Sequence, residues 1–152
     1  MTTAKDIMTR EIVSVTADLP VEKLATLLLE KKISGAPVVD DEGRLIGVVT
    51  ESDLIDQTKN IHIPTAVAIL DSFLFLENPN KMDEEIKKMA GRKVWDICAK
   101  KPTVVQEDTP LSDVATIMAE KKLHTLPVMA EKRLVGVIGK TDIIRTLIRE
   151  NK

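Results

Sequence analysis

Two short stretches of the chain place a carboxylate at the same point after an apolar run. In GVVTESDL, Thr50 precedes Asp53 by three residues, and in GVIGKTDI the same two places hold Gly139 and Asp142. At the start of a helix, a threonine hydroxyl can donate to a phosphate oxygen beside the free backbone N–H groups. A carboxylate one turn later can accept hydrogen bonds from a ribose diol. The alternative is helix capping, because Thr, Ser and Asp are favoured in the first turn of any helix.

These two stretches belong to an internal repeat. A shift of 90 positions aligns Pro37-Val38 with Pro127-Val128, and after a one-residue gap a shift of 89 aligns Asp53 with Asp142. Ordered matches with a single gap indicate a tandem repeat of roughly 50 residues. The repeat therefore retains the carboxylate and loses the threonine once.

Each copy predicts the same order of elements. Pro20 and Pro110 are each expected in the first turn of a helix with one apolar face. A strand with Pro37 near its beginning follows, then a turn and a second strand that ends at the repeated phrase. Another helix begins after Thr50 and its counterpart Gly139. The pattern predicts strand–helix–strand–strand–helix (βαββα) written twice, an α+β fold whose two copies cover each other's sheets.

The repeat also divides the chain. Residues 1–57 form the first copy, 58–93 an insert, and 94–152 the second copy, together one compact module. The insert contains an apolar stretch and a short amphipathic helix. Two interpretations of it stay open: a linker packed on the module, or a contact between subunits.

Composition narrows the class of protein. With 152 residues, 43% hydrophobic and 30% charged, the chain is expected to be soluble and globular. A net charge of -2 and 2% aromatic residues argue against a nucleic-acid surface. The start lacks an apolar signal region, and no apolar run approaches the ~20 residues of a membrane span. The single cysteine, Cys98, excludes an intrachain disulfide and favours the cytoplasm.

The residues do not predict an enzyme. Cys98 aligns with Met8 and has no neighbouring histidine, which favours a buried structural thiol. His62 and His124 lack metal-ligand spacing with other His or Cys residues. Asp53 and its repeat mate are expected in separate places rather than as a catalytic carboxylate pair. We expect no catalysis, no metal and no required cofactor.

The paired pattern resembles a tandem of CBS (cystathionine β-synthase) domains, also called a Bateman module. The residues that carry the resemblance are Asp6–Thr9, Ile33–Val39 and Gly47–Leu54, with Asp96–Cys98, Leu123–Val128 and Gly136–Ile143 in the second copy. It covers all of the chain but the insert, and the module is expected to stand alone. The resemblance implies a pseudo-twofold sandwich with two clefts for an adenosyl ligand: AMP, ADP, ATP or S-adenosylmethionine. It further implies a regulatory sensor of nucleotide or energy status.

The resemblance also implies which residues line each cleft. In the first cleft, Asp53 is assigned to the ribose, Thr50 or Ser52 to phosphate, and Val48 to adenine, completed by Thr103, Leu123 and His124. In the second, Asp142 is assigned to the ribose with Thr141 nearby and Val137 on the base, completed by Val13, Ile33 and Ser34. The first cleft is expected to bind a phosphorylated nucleotide more tightly, because the second has Gly139 in place of threonine, although Lys140 could compensate.

The resemblance favours a homodimer. The predicted surface uses helix faces at 21–28 and 143–148, with or without the insert, and an unidentified regulated protein is a further partner. The alternative function is a protein–protein interaction module whose clefts are vestigial. Ligand-dependent thermal stability separates the two hypotheses, since a true ligand raises the unfolding midpoint by mass action.

Overall fold

Each repeat forms one small sheet with helices around it. The computed structural model describes residues 1–58 and 92–150, so most of the predicted insert lies outside the described residues. The first repeat contains α1 (Ala4–Ile7), β1 (Val15–Thr16), α2 (Val21–Lys31), β2 (Gly35–Val39), β3 (Leu45–Thr50) and α3 (Glu51–Thr58). The second contains α4 (Val94–Ile97), β4 (Val105–Gln106), α5 (Leu111–Glu120), β5 (Thr125–Ala130), β6 (Arg133–Gly139) and α6 (Lys140–Glu150). The predicted α+β fold with two βαββα repeats is confirmed, and α1 and α4 are additional short helices.

The same strand order occurs in both sheets. In the first, β2 lies between β1, which is parallel to it, and β3, which is antiparallel to it. In the second, β5 lies between β4 and β6 with the same directions. The parallel pair needs a crossover, which α2 or α5 supplies, whereas the antiparallel pair needs only a tight turn. Consequently β3 and β6 both end where the next helix begins.

Proline positions differ slightly from the prediction. Pro37 lies in the middle of β2, opposite Val48, rather than at its beginning. Val48 exchanges both of its backbone hydrogen bonds with Ala99, at 3.0 and 2.9 Å, so the pairing of Pro37 with Val48 needs no proline N–H. Pro20 and Pro110 stand at the N-cap, one residue before the helices they were expected to start inside.

The amphipathic face of α2 builds the core of the first repeat. Val21, Leu24 and Leu28 are buried against Val38 and Val49 of the sheet. They recur at the three- and four-residue spacing that places side chains on one helix face. Burying one such leucine contributes roughly 1.5–3 kcal/mol, so the helix is held chiefly by this face.

The short N-terminal helices are exchanged between the repeats. The Ala4 N–H donates to Thr109 O at 2.8 Å, and Ala4, Ile7 and Met8 belong to the core of the second repeat. In return, Val94 N–H donates to Leu19 O at 2.9 Å, and α4 completes the core of the first repeat. Residues 1–57 and 94–152 are therefore sequence repeats, but each hydrophobic core contains residues of both.

Candidate ligand site between the repeats

A cavity of about 260 Å³ lies where β6 ends and α6 begins. The structure brings all six residues assigned to the second cleft to its wall: Val13, Ile33, Ser34, Val137, Thr141 and Asp142. Three come from each repeat, so the cavity exists only when the two repeats are packed together. Their role as ligand contacts stays a prediction.

The exchanged N-terminal segment forms one side of this cavity. Thr9 and Val137 form an antiparallel bridge, with backbone hydrogen bonds of 2.8 and 3.0 Å. The preceding residue, Met8, crosses directly over Gly136, where a β-carbon would overlap its sulfur. Glycine is therefore required at this crossing, and the crossing places the Thr9 hydroxyl in the cavity.

Asp142 is the most constrained polar side chain of the cavity. Its side chain is only 7% exposed. Its Oδ2 accepts from the Gly139 N–H at 2.8 Å, while Oδ1 accepts from the Arg145 guanidinium at 3.2 Å and the Thr9 hydroxyl at 3.3 Å. The Thr9 hydroxyl also lies 3.4 Å from Oδ2, but the shorter bond from Gly139 belongs to the helix start and is fixed by the backbone. Both partners of Oδ1 are side chains, so Oδ1 is the oxygen that can exchange its partners for a ligand diol.

Asp53 occupies the same place at the start of α3 with different partners. Its Oδ2 accepts from the Thr50 N–H at 2.9 Å and from the Thr50 hydroxyl at 3.3 Å. The same hydroxyl accepts from the Asp53 N–H at 3.4 Å, so it already serves the helix cap. Burial raises the pKa of the half-buried Asp53 carboxyl above its ordinary value, and the nearby negative charge of Asp56 adds to this rise.

The other residues assigned to the first cleft are more scattered. Ser52 and His124 are exposed, Val48 is buried in β3, and Thr103 and Leu123 are half-buried. Among the described residues, no hydrogen bond or ion pair joins Asp53 to Thr103, Leu123 or His124. The assignment of these residues to one ligand site therefore stays a prediction.

The two halves of the module meet at Ser34. Its hydroxyl lies 3.2 Å from the Thr125 hydroxyl and donates to His124 O at 3.5 Å. At the neighbouring Gly35, a β-carbon would stand 2.8 Å from the Thr125 hydroxyl oxygen. The missing side chain allows β2 and β5 to approach closely, which sets the spacing of the repeats around the cavity.

Sequence reasoning missed five polar residues of the cavity: Thr9, Glu11, Lys32, Thr125 and Arg145. Arg145 follows Asp142 by three residues on α6, and this spacing places two side chains on one helix face. The position of Arg145 beside Asp142 could therefore have been predicted from the sequence. Thr9 reaches the cavity only because the N-terminal segment is exchanged between repeats, and no local pattern announces that exchange.

Other kinds of site receive no support from the described residues. Within ranges 1–58 and 92–150 there is no group of three or more His, Cys, Asp or Glu side chains placed to hold a metal ion. Cys98 is buried, and burial raises the pKa of its thiol, which lowers its reactivity. In the same ranges, no helix has the length and apolar character needed to cross a membrane.

Exchanged N-terminal segments, two βαββα repeats and a cleft between them define a tandem-repeat module. Residues 4–59 and 94–149 each match the family model described as the CBS domain. The chain belongs to the CBS domain family, which confirms the resemblance.

Relatives and solved structures agree with this assignment. Protein MJ1426 of Methanocaldococcus jannaschii is 30% identical over 154 residues, covering 95% of this chain and 90% of the relative. Chloroplastic CBSX1 of Arabidopsis thaliana is 30% identical over 138 residues, and the chain spans only 56% of its length. The structure of Arabidopsis CBSX2 in complex with AMP is 28% identical with a TM-score of 0.75 and full coverage of both chains. A further similar structure is the CBS pair of protein MJ0100 in complex with 5-methylthioadenosine and S-adenosyl-L-methionine. It is 22% identical with a TM-score of 0.73, and the match covers 100% of this chain and 99% of that one. At this identity it supports the fold alone.

Proposed function

We propose that this protein is a regulatory module that binds an adenosyl ligand of the AMP class in the cleft between its repeats. The observation that carries the proposal is the buried Asp142 carboxylate, whose Oδ1 faces exchangeable side-chain partners. AMP in the 28% identical CBSX2 supports the choice of ligand class. The module acts by binding rather than catalysis and requires no cofactor.

The cavity suits one nucleotide. At about 260 Å³ it lies just below the ~300–1,000 Å³ typical of ligand pockets, which favours a mononucleotide over a dinucleotide. Val137 and Ile33 offer apolar surface to adenine, and Asp142 offers an acceptor to the ribose diol. The start of α6, with Lys140 and Thr141, offers positive charge and donors to a phosphate.

Regulation follows from the position of the cleft between the repeats. A ligand held by Ile33 and Ser34 on one side and by Asp142 on the other favours one relative arrangement of the repeats. Ligand binding shifts such an equilibrium only to the extent that the ligand binds the two arrangements differently. We propose that AMP, ADP, ATP or S-adenosylmethionine biases shape or assembly in this way, in the cytoplasm.

We propose that two copies of the chain pair. Leu29, Ile55, Ile144, Leu147 and Ile148 expose their apolar side chains, and the α2–α3 face holds an apolar groove of about 510 Å³. On α2, the apolar side chains that are exposed differ from those of the predicted pairing face at 21–28. Val21, Leu24 and Leu28 are buried in the core, so the apolar residues available on that side are Leu29 and Ile55. The same surface could dock another protein, and the mass of the purified particle separates the two outcomes.

Thermal unfolding with and without ligand tests the proposed function. AMP at about 100 times its dissociation constant should raise the free energy of unfolding by about 2.7 kcal/mol, and the midpoint with it. If AMP, ADP, ATP and S-adenosylmethionine all leave the midpoint unchanged, the adenosyl-binding function is wrong and the interaction module replaces it.

A further inference from the structure

The two clefts differ in charge at positions that the repeat makes equivalent. Five charged residues line the second cleft: Lys32, Lys140, Arg145, Glu11 and Asp142. In the same order, the equivalent residues of the first repeat's cleft are Lys122, Glu51, Asp56, Lys101 and Asp53. Three cations and two carboxylates thus correspond to two cations and three carboxylates. The reversal is concentrated at the helix starts, where Glu51 and Asp56 replace Lys140 and Arg145.

These differences in charge lie on the same helices as the two repeated carboxylates, Asp53 and Asp142. The Arg145 guanidinium lies 3.2 Å from Asp142 Oδ1 and stabilises its negative charge. At the same helical position the first repeat has Asp56, and the pKa of Asp53 is raised mainly by burial, with a smaller contribution from the negative charge of Asp56. Negative charge is therefore opposed at the start of α3 and compensated at the start of α6.

The helix caps differ in the same direction. The Thr50 hydroxyl is hydrogen-bonded to both the N–H and the carboxylate of Asp53. Gly139 has no hydroxyl to accept the Asp142 N–H. A β-carbon on Gly139 would meet His124 O at 3.7 Å and Asp142 Oδ2 at 3.9 Å, which are ordinary van der Waals contacts, so a side chain is tolerated there. The loss of threonine leaves the Asp142 N–H without this hydroxyl acceptor, and a backbone N–H donor at a helix start suits an anionic group.

We infer that the second cleft is the phosphate-selective one and that Arg145 determines this selectivity, whereas the first cleft takes adenosine derivatives without negative charge. This inference rests on the proposed function and reverses the order that the sequence predicts for the two clefts. The ligand class of the second cleft is an adenosine phosphate. That of the first is a neutral or cationic adenosine derivative.

Arg145 can contribute in the bound state by exchanging partners. A ribose diol that donates to Asp142 Oδ1 replaces the present hydrogen bond from Arg145. The Arg145 side chain is 53% exposed, so its guanidinium is free to turn towards a phosphate at the mouth of the cavity. Guanidinium–phosphate pairs are commonly bidentate and stronger than neutral hydrogen bonds.

Isothermal titration of full-length protein with adenosine and with AMP tests the inference. Asp53→Asn impairs binding in the first cleft, so the titration measures binding in the second. Asp142→Asn impairs the second cleft, so the titration measures the first. In the Asp53→Asn protein, we expect AMP to bind about tenfold more tightly than adenosine, about 1.4 kcal/mol. Adding Arg145→Gln should remove that preference, since the charged hydrogen bond from Arg145 to the phosphate is lost. The adenosine affinity should stay within about threefold of its value in the Asp53→Asn protein. Arg133→Gln, the same change at the exposed far end of β6, is the matched control and should keep the preference.

Two further variants protect the test against a loss of folding. Arg145→Lys retains the positive charge and should recover part of the AMP preference. Asp56→Arg copies the second cleft and should give the first an AMP preference in the Asp142→Asn background. The inference is overturned if the AMP preference survives Arg145→Gln, or if the Asp142→Asn protein already prefers AMP. In either case the protein still binds an adenosyl ligand, and the proposed function stands. If neither ligand binds the unmodified protein, the proposed function is wrong together with the inference.

Discussion

The starts of α3 and α6 form the most instructive comparison in this molecule. Both follow the last residue of a hairpin strand, and both carry an aspartate that accepts the N–H of the residue before the helix, at 2.9 and 2.8 Å. At α3 the threonine hydroxyl closes the cap and an aspartate follows one turn later. At α6 glycine leaves the cap open and an arginine follows. The same backbone motif thus gives a helix start whose N–H groups are capped by its own side chains in one repeat, and a helix start that can accept an anion in the other.

The difference shows how a repeat can diverge without changing its fold. Both aspartates have the capping role that any helix start could use, so the structural role is retained in both copies. The differences lie in the cap residue and in exposed charged residues, with Glu51 and Asp56 in place of Lys140 and Arg145. The specificity of each cleft can therefore change through residues that contribute little to the core.

The largest expected effect comes from removing the charge of each aspartate in turn. Asp142→Asn leaves Arg145 and Thr9 facing a neutral amide, so we expect it to lower the free energy of unfolding by about 2 kcal/mol, the scale of hydrogen bonds to charged groups. Asp53→Asn removes a carboxylate that is partly desolvated and repelled by Asp56, and asparagine caps a helix about as well as aspartate, so its effect on stability should be clearly smaller. Urea unfolding of both variants measures the difference. Equal losses would contradict the asymmetry.

A second prediction concerns the crossing of the N-terminal segment over Gly136. Gly136→Ala places a methyl group into the Met8 side chain, and overpacking of this kind typically lowers stability by about 1–3 kcal/mol. Gly139→Ala, three residues later, meets only ordinary contacts and is the matched control. Thermal unfolding of the two variants measures the effect. A tolerated Gly136→Ala would mean that the segment does not pack as described.

The third prediction restores the missing cap. Gly139→Thr should stabilise the protein by about 1 kcal/mol, because the new hydroxyl can accept the Asp142 N–H as Thr50 accepts that of Asp53. The same hydroxyl would occupy the Asp142 N–H that we assign to the phosphate, so AMP affinity should fall by several-fold. Unfolding and titration on one sample separate the two effects. Tighter AMP binding in Gly139→Thr would support the original sequence prediction that threonine donates to phosphate.

The smallest expected effect is a dependence on pH. The pKa of Asp53 is raised above its ordinary value near 3.8, so the folded state holds its proton more tightly than the unfolded state. Its stabilising contribution is present below that ordinary value and is lost as the pH rises through the raised pKa. Relative to Asp53→Asn, the unmodified protein should therefore lose stability as the pH rises through this window.

A carboxylate with the opposite shift is the control for this dependence. Backbone hydrogen bonding from Arg44 lowers the pKa of Asp40, so its contribution is present above the ordinary value and is lost as the pH falls through the lowered pKa. Relative to Asp40→Asn, the unmodified protein should lose stability on acidification. Urea unfolding at acid and at neutral pH, for the unmodified protein and for each of the two variants, measures the sign of each pH dependence. The same sign for both would contradict the assigned environments.

How much of this could be predicted from the sequence depends on the kind of interaction. The repeat placed both aspartates at helix starts, because periodicity and turn chemistry are local properties. The six residues of one cavity wall were assigned through the resemblance to CBS domains, since no local pattern brings residues of the two repeats together. The role of Thr50 was ambiguous, since capping and phosphate binding use the same hydroxyl. The contribution of Thr9 was not predictable, because it depends on a long-range exchange of N-terminal segments that no local pattern encodes.

The account rests most directly on which helix start meets the phosphate. Titration of ¹⁵N-labelled protein with AMP, followed by amide chemical shifts, reports both starts in one sample. The account predicts that the amides of Gly139 and Lys140 shift and saturate at lower AMP concentration than those of Glu51 and Ser52, and that adenosine removes this order. If AMP instead perturbs Glu51 and Ser52 first, the assignment of the phosphate to the second cleft is wrong.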